Sequence, residues 1–234
     1  MIRWVEVIIS AYLFCNYNSI IKYIFSMTSE KFKLAVLVSG NGSNLQAIID
    51  CIEKNSLAAE ISLVLSNVKD AYALERGKNH GLEVVFLDPQ ISPNRANYEQ
   101  KIIDLLLSKS IDLICLAGFM QILGKKFIEA FSGKIINIHP SLLPSFPGLD
   151  VQKKALEHGA KFSGCTVHFV DEEVDGGPII LQSIVPIHDE DDIETLSKRI
   201  LQQEHIIYPE AIRLIIEDNI EVSGRRVLRK IKEG

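Results

Sequence analysis

The chain has 234 residues, 47% hydrophobic and 24% charged, a balance that excludes wholesale disorder and leaves ample material for a core. A net charge of -5 with no lysine–arginine block argues against a nucleic-acid binder that works by neutralising phosphates. A small anion is still within reach, because backbone N–H groups hold one without net charge. Cys15, Cys51, Cys115 and Cys165 form no C-x-x-C pair, which removes zinc-ribbon and thioredoxin-type motifs and fits reduced, packed residues of a cytosolic protein.

The first 31 residues differ from the rest: six of the 17 aromatic residues precede residue 27. The apolar run over 7–15 is broken by Asn16 and Asn18, too early for a spanning helix. Three readings stand for this segment: translation starting at Met27, a genuine extension or weak anchor, and a signal peptide without a small-x-small cleavage site. A single domain is expected over 32–234, with few contacts from residues 1–26.

From Lys33 onward strands and helices alternate. Apolar runs over 34–39, 61–66, 84–87, 112–117 and 134–138 read as buried strands. Helical spacing runs over 45–54, 71–78, 97–107 and 125–131. The pattern predicts an α/β, Rossmann-like fold, a mostly parallel twisted sheet with helices on both faces. After Pro140 a proline-rich loop precedes a helix near 151–158, strands over 166–170 and 179–187, and a helical stretch over 190–217 that Pro209 bends or divides.

Three patches could carry chemistry. Ser39-Gly40-Asn41-Gly42-Ser43-Asn44-Leu45 joins the first strand to the first helix, where free N–H groups and the helix dipole suit a phosphate. It has no Gly-Lys-Ser/Thr, lacks the third glycine of a dinucleotide fingerprint, and the second strand ends in Ser66-Asn67 instead of an acid. A monophosphate therefore fits better than NAD; the plain alternative is a tight turn with an N-cap. Asn137-Ile138-His139-Pro140 ends the fifth strand, where open α/β sheets place ligands. Alternation puts Asn137 and His139 on one side, an amide donor beside an imidazole, suited to attack on a carbonyl; the alternative is that both satisfy strand-end backbone. Asp171-Glu172-Glu173-Val174-Asp175-Gly176-Gly177-Pro178 reads either as a solvated turn or as a tight backbone holding one carboxylate. His139, His168 and Asp175 have no short-range metal-ligand spacing, and no metal is expected.

Five stretches together resemble the phosphoribosylglycinamide formyltransferase (GAR transformylase) family: VSGNGSNLQAII (38–49), LAGFMQIL (116–123), INIHPSLLP (136–144), GCTVHFVDEEVDGGPIILQ (164–182) and QEHIIYP (203–209). The resemblance implies formyl transfer from 10-formyltetrahydrofolate, as cosubstrate, to the amine of phosphoribosylglycinamide in purine synthesis. It implies that Gly42, Ser43, Asn44 and Glu204 hold the ribonucleotide. It puts the folate along Met120, Gln121, Ile122 and Leu123, with Asn137 and the loop of Asp171, Glu172, Glu173, Val174 and Asp175, and Arg95 at its far end. Asn137, His139 and Asp175 become the catalytic group, with the Asp175 carboxylate favouring a charged His139. A cis Leu143–Pro144 bond is also implied. Gln121 stands where the family most often has arginine, which alters one folate-side contact. The expected protein is a cytoplasmic monomer or homodimer that binds neither nucleic acid nor membrane. Methionyl-tRNA formyltransferase and formyltetrahydrofolate hydrolase share the Asn-x-His and Asp elements, but each carries a further domain. A non-enzymatic nucleotide-binding module would explain the first patch and leave the trio without a purpose.

Overall fold

Strand β1 (Phe32–Val38) reads FKLAVLV, and its last five residues are fully buried. Alternation sends Leu34, Val36 and Val38 into one core and Ala35 and Leu37 into another, so the strand is covered on both faces. The computed structural model describes residues 31–230; the readings for residues 1–26 and for a start at Met27 lie outside the described residues.

β1 pairs in parallel with β2 (Ala59–Ser66) on one side and β4 (Leu113–Leu116) on the other. β3 (Val84–Phe86) extends the sheet beyond β2, and β5 (Ile135–His139) beyond β4, again in parallel. β6 (Phe162–Phe169) then runs antiparallel to β5, and β7 (Ile179–Pro186) antiparallel to β6. A hairpin of β8 (Ile220–Ser223) and β9 (Arg226–Arg229) closes that side, giving the order β3-β2-β1-β4-β5-β6-β7-β9-β8 among the described residues. The mostly parallel reading therefore holds for the first five strands.

Helix α1 (Ser43–Glu53) buries Leu45, Ile48 and Ile49, and α2 (Tyr72–Asn79) buries Ala73 and Leu74, both in the core of Val36 and Val38. On the opposite face α3 (Arg95–Ser108) contributes Tyr98, Ile102 and Leu106, and α4 (Lys125–Ala130) contributes Phe127. Asn94 caps α3 by accepting from the Asn97 N–H at 2.9 Å, which starts the helix two residues before the apolar period does. Helix α5 (Val151–Glu157) follows the proline-rich loop.

Helix α6 (Ile193–Ile216) opens on a capping box: Asp192 accepts from the Thr195 N–H at 2.8 Å, and Thr195 Oγ1 accepts from the Asp192 N–H at 3.0 Å. Residues 190–192, expected to be helical, are thus its acidic entrance. The helix is assigned as one 24-residue element and is not divided at the buried Pro209. Tyr208, fully buried, donates from its hydroxyl to the Leu116 carbonyl at 2.9 Å and lies 3.3 Å from that of Ile136, which ties α6 to the end of β4 and to β5.

Two features escaped the apolar pattern. β6 begins four residues before the expected run, at an exposed Phe162, and the β8–β9 hairpin is too polar to stand out. Gly164 shows why β6 needs a glycine there: a Cβ would fall 2.0 Å from the Ser183 carbonyl and 2.8 Å from the Leu142 side chain.

Candidate active site

The order 3-2-1-4-5 reverses direction between β1 and β4, which opens a crevice at their carboxyl ends. The loops leaving the two strands are joined there. The Ser39 N–H donates to the Gly118 carbonyl at 2.9 Å, and the Met120 N–H donates to Ser39 Oγ at 2.7 Å.

Gly42 caps α1 in the left-handed region at φ 74°, a conformation that favours glycine. A Cβ on it would also meet Ala73 Cβ at 2.5 Å, so a larger residue here strains the packing on α2 as well as any approach of a ligand. Ser43 is the first residue of α1. Asn44 is buried and donates from Nδ2 to Glu204 at 2.7 Å, across 160 residues. Its Oδ1 is buried without a partner, an acceptor left open at the site.

Glu204 is buried too, and desolvation pushes its carboxyl above the usual value near 4.5, with the Asn44 amide opposing. A carboxyl raised by folding destabilises the native state as it ionises, so stability falls as pH rises from about 4.5 upward. Glu204→Gln keeps an acceptor for Asn44 and removes that charge. We expect the variant to gain stability relative to the parent between pH 4 and pH 7 in chemical denaturation; a difference that is flat with pH would contradict the assignment.

Asn137 and His139 lie on the Ile135 side of β5, while Ile136 and Ile138 fill the opposite core, as alternation requires. The antiparallel register sets His168 of β6 directly opposite Asn137. His168 Nδ1 lies 2.8 Å from the Phe169 carbonyl, which can only accept, so Nδ1 carries the proton. Nε2 is then the acceptor for the Asn137 amide at 3.2 Å. Burial pushes the His168 pKa below its usual 6.5, which keeps this neutral tautomer.

His139 is buried, with Nε2 donating to the Phe146 carbonyl at 3.0 Å and Nδ1 3.4 Å from Asp175 Oδ2. Both ring nitrogens thus face acceptors, so a ring carrying both protons has a partner for each. Asp175, left-handed at φ 55°, accepts the Gly148 N–H at 2.8 Å, and its other oxygen is 3.7 Å from His168 Nε2. The loop over 140–148 is fixed in turn. Ser141 Oγ donates to the Ser145 carbonyl at 2.7 Å, Thr166 Oγ1 donates to the Ser141 carbonyl at 2.7 Å, and Gln182 donates to the Leu143 carbonyl at 2.8 Å. Leu143–Pro144 is cis.

On the other rim, Met120, Ile122 and Val174 are exposed, Gln121 is half-buried and Leu123 is buried against α3 and α4. Arg95 donates to Glu99 at 2.7 Å and to the Ile122 carbonyl, so it is tied to the 120–123 segment. Glu99 also accepts the Gly124 N–H at 2.9 Å. In the acidic loop Asp171 accepts the Glu173 N–H at 3.0 Å, Glu172 pairs with Lys125 at 3.1 Å, and Glu173 lies 3.7 Å from Arg225 of the terminal hairpin. Cys165 is fully buried, which pushes its thiol up to about 12 and makes it a packed residue. Among the described residues no group of three His, Cys, Asp or Glu is placed to hold a metal ion, and no helix is long and apolar enough to cross a membrane.

The structure thus brings together Asn137, His139 and Asp175, and separately Asn44 with Glu204. It adds His168, which the sequence reading weighed only as a metal ligand. The signal was its place on a strand antiparallel to β5, which needs the register and not the motif.

The formyl transferase family model matches residues 32–212. A phosphoribosylglycinamide formyltransferase of Haemophilus influenzae is 47% identical over 205 residues, covering 85% of this chain and 96% of that protein. The human trifunctional purine biosynthetic protein adenosine-3 is 42% identical over 210 residues, 89% of this chain; the chain spans about a fifth (21%) of that relative's length. The crystal structure of glycinamide ribonucleotide transformylase 1 from Symbiobacterium toebii superposes with a TM-score of 0.84 at 46% identity, covering 86% of this chain and 95% of that one. With nearly the full length of the bacterial proteins matched in both sequence and fold, this chain belongs to the phosphoribosylglycinamide formyltransferase family of formyl transferases.

Proposed function

We propose that the chain transfers the formyl group of 10-formyltetrahydrofolate to the amine of phosphoribosylglycinamide, in the cytoplasm, as a step of purine synthesis. The observation that carries the reading is the convergence of Asn137, His139 and Asp175 near the carboxyl end of β5, in a sheet whose first strand leads through a glycine loop to a helix N-terminus that suits a phosphate. The folate supplies an activated formyl carbon. Every other contribution comes from backbone and side-chain groups of this chain.

Gly42 and Ser43 present N–H groups to the ribonucleotide phosphate at the start of α1. Asn44 Oδ1 and Glu204 are acceptors for other hydrogen-bond donors of the same substrate. The apolar rim of Met120, Ile122 and Val174 suits a flat heteroaromatic ring, with Arg95 toward the far end of the folate. An α-amino group has a pKa of about 8, so near neutral pH the attacking amine needs little help to be neutral. As its nitrogen adds to the formyl carbon, the carbonyl oxygen becomes an oxyanion; Asn137 donates to it through the amide hydrogen that His168 does not use, and His139 donates by exchanging the Phe146 carbonyl for it at Nε2. The added amine gives up one proton, the leaving folate nitrogen takes one as its carbon–nitrogen bond breaks, and His139 carries the proton between them. Asp175 holds that ring through Nδ1.

The test is spectroscopic detection of tetrahydrofolate with and without the ribonucleotide. Release that depends on the ribonucleotide is expected. Release without it would mark a hydrolase, and no release with ribonucleotide binding intact would mark a nucleotide-binding module.

A further inference from the structure

Arginine 76 stands behind the 39–44 loop and has no place in the chemistry described above. It projects from α2, and three of its N–H groups are committed. Nε donates to the Asn41 carbonyl at 2.9 Å, Nη2 to Asn41 Oδ1 at 3.0 Å and Nη1 to Gln46 Oε1 at 3.2 Å. The guanidinium also lies 4.7 Å from the centre of the Tyr72 ring, one helical turn away. All of these partners are neutral. Among the described residues no carboxylate lies within 4.0 Å of it; the nearby Asp50 is bonded to Gln46 Nε2 at 2.8 Å instead. A guanidinium charge is thus held beside the loop without an ion-pair partner.

The loop's carbonyls make the purpose plainer. Gly40 O accepts the Ala73 N–H at 3.1 Å, Asn41 O accepts from Arg76, and Gly42 O accepts the Gln46 N–H at 3.0 Å. In a trans peptide the following N–H points opposite to the carbonyl. Claiming three successive carbonyls therefore turns the N–H groups of Asn41, Gly42 and Ser43 the other way, and keeps negative carbonyl ends away from an incoming anion. Two of the three claims come from α2, one from Ala73 and one from Arg76. The Arg76 claim is the one made by a side chain, so it alone can be removed by substitution without rebuilding the backbone.

We infer that Arg76 positions the 39–44 loop for the phosphate of the ribonucleotide and supplies the cationic charge that the loop itself lacks. The inference rests on the phosphate reading of that loop, and its tests separate the two. Arg76→Ala removes both grip and charge, Arg76→Gln removes the charge, and Arg76→Lys keeps the charge but not the two-point hold on Asn41. Steady-state kinetics of Arg76→Ala should show the KM for the ribonucleotide raised about tenfold or more, with kcat and the KM for the folate within about twofold of the parent. Arg76→Lys should fall between the parent and Arg76→Ala. Inorganic phosphate, titrated by calorimetry, should bind the variants more weakly in the same order. That measurement does not depend on the identity of the formyl acceptor: an enzyme inactive with the ribonucleotide overturns the proposed function, while the phosphate titration still decides the role of Arg76. An unchanged ribonucleotide KM and phosphate affinity would overturn the inference. So would a parallel fall in kcat and rise of both KM values, the mark of a merely structural residue. If Arg76→Ala folds poorly, Arg76→Gln decides by the same criteria.

Discussion

Replacing Asp175 by asparagine is expected to lower turnover by roughly 10²–10⁴-fold, the range that general acid–base assistance supplies. The substitution is nearly isosteric, and the amide oxygen can still accept the Gly148 N–H now bonded at 2.8 Å, so the loop should keep its shape. What disappears is the negative charge 3.4 Å from His139 Nδ1. An amide there presents either a weaker acceptor or a competing donor, and the ring loses the partner that holds it for proton transfer. On the proposed reading the ribonucleotide is held from another part of the crevice, through the 39–44 loop and Glu204, so its KM should stay within about threefold while kcat collapses, the pattern of an interaction made in the transition state. Turnover within about twofold of the parent in the tetrahydrofolate assay would remove Asp175 from the catalytic group.

Replacing Asn137 by alanine should cost about 10²–10³ in kcat, the usual effect of losing one donor to a developing oxyanion. The geometry adds a second loss. Asn137 donates to His168 Nε2, whose other nitrogen is committed to the Phe169 carbonyl, so alanine strips a buried acceptor of its partner. An unsatisfied buried group of this kind costs about 1–3 kcal/mol, which thermal unfolding would register alongside the kinetic loss. A kinetic loss without any change in unfolding would show that water replaces the amide at His168. Near-normal kcat would show that Asn137 serves only its neighbour across the sheet.

The first five strands were legible because parallel strands covered on both faces must be continuous apolar runs, and Leu34 to Val38 is one. The 39–45 loop was legible as a turn because glycine and small polar residues there interrupt both the strand run and the helical period. The antiparallel half was harder. Phe162 and Ser163 begin β6 outside any apolar run, and the β8–β9 hairpin alternates weakly around Gly224, whose φ of 60° marks the turn. Ser223-Gly224 between two short alternating runs is the sequence mark of this hairpin. Asn137 and His139 were placed on one side by alternation alone. Their closure with Asp175 came from family resemblance, since no local pattern joins positions 36 residues apart. His168 was missed as a hydrogen-bond partner because cross-strand register is invisible in a motif.

The change of strand direction at β5 sets how His168 and Asp175 come to lie together. A strand added in parallel offers the ligand edge only its final residues. β6 instead starts at the ligand edge, after the 140–150 loop and α5, brings His168 opposite Asn137 near its own end and turns back to deliver Asp175 seven residues later. One short reversal therefore places the His168 imidazole and the Asp175 carboxylate beside the same strand. Their separation is governed by pleat and turn geometry, with no helix in between whose packing could shift one relative to the other.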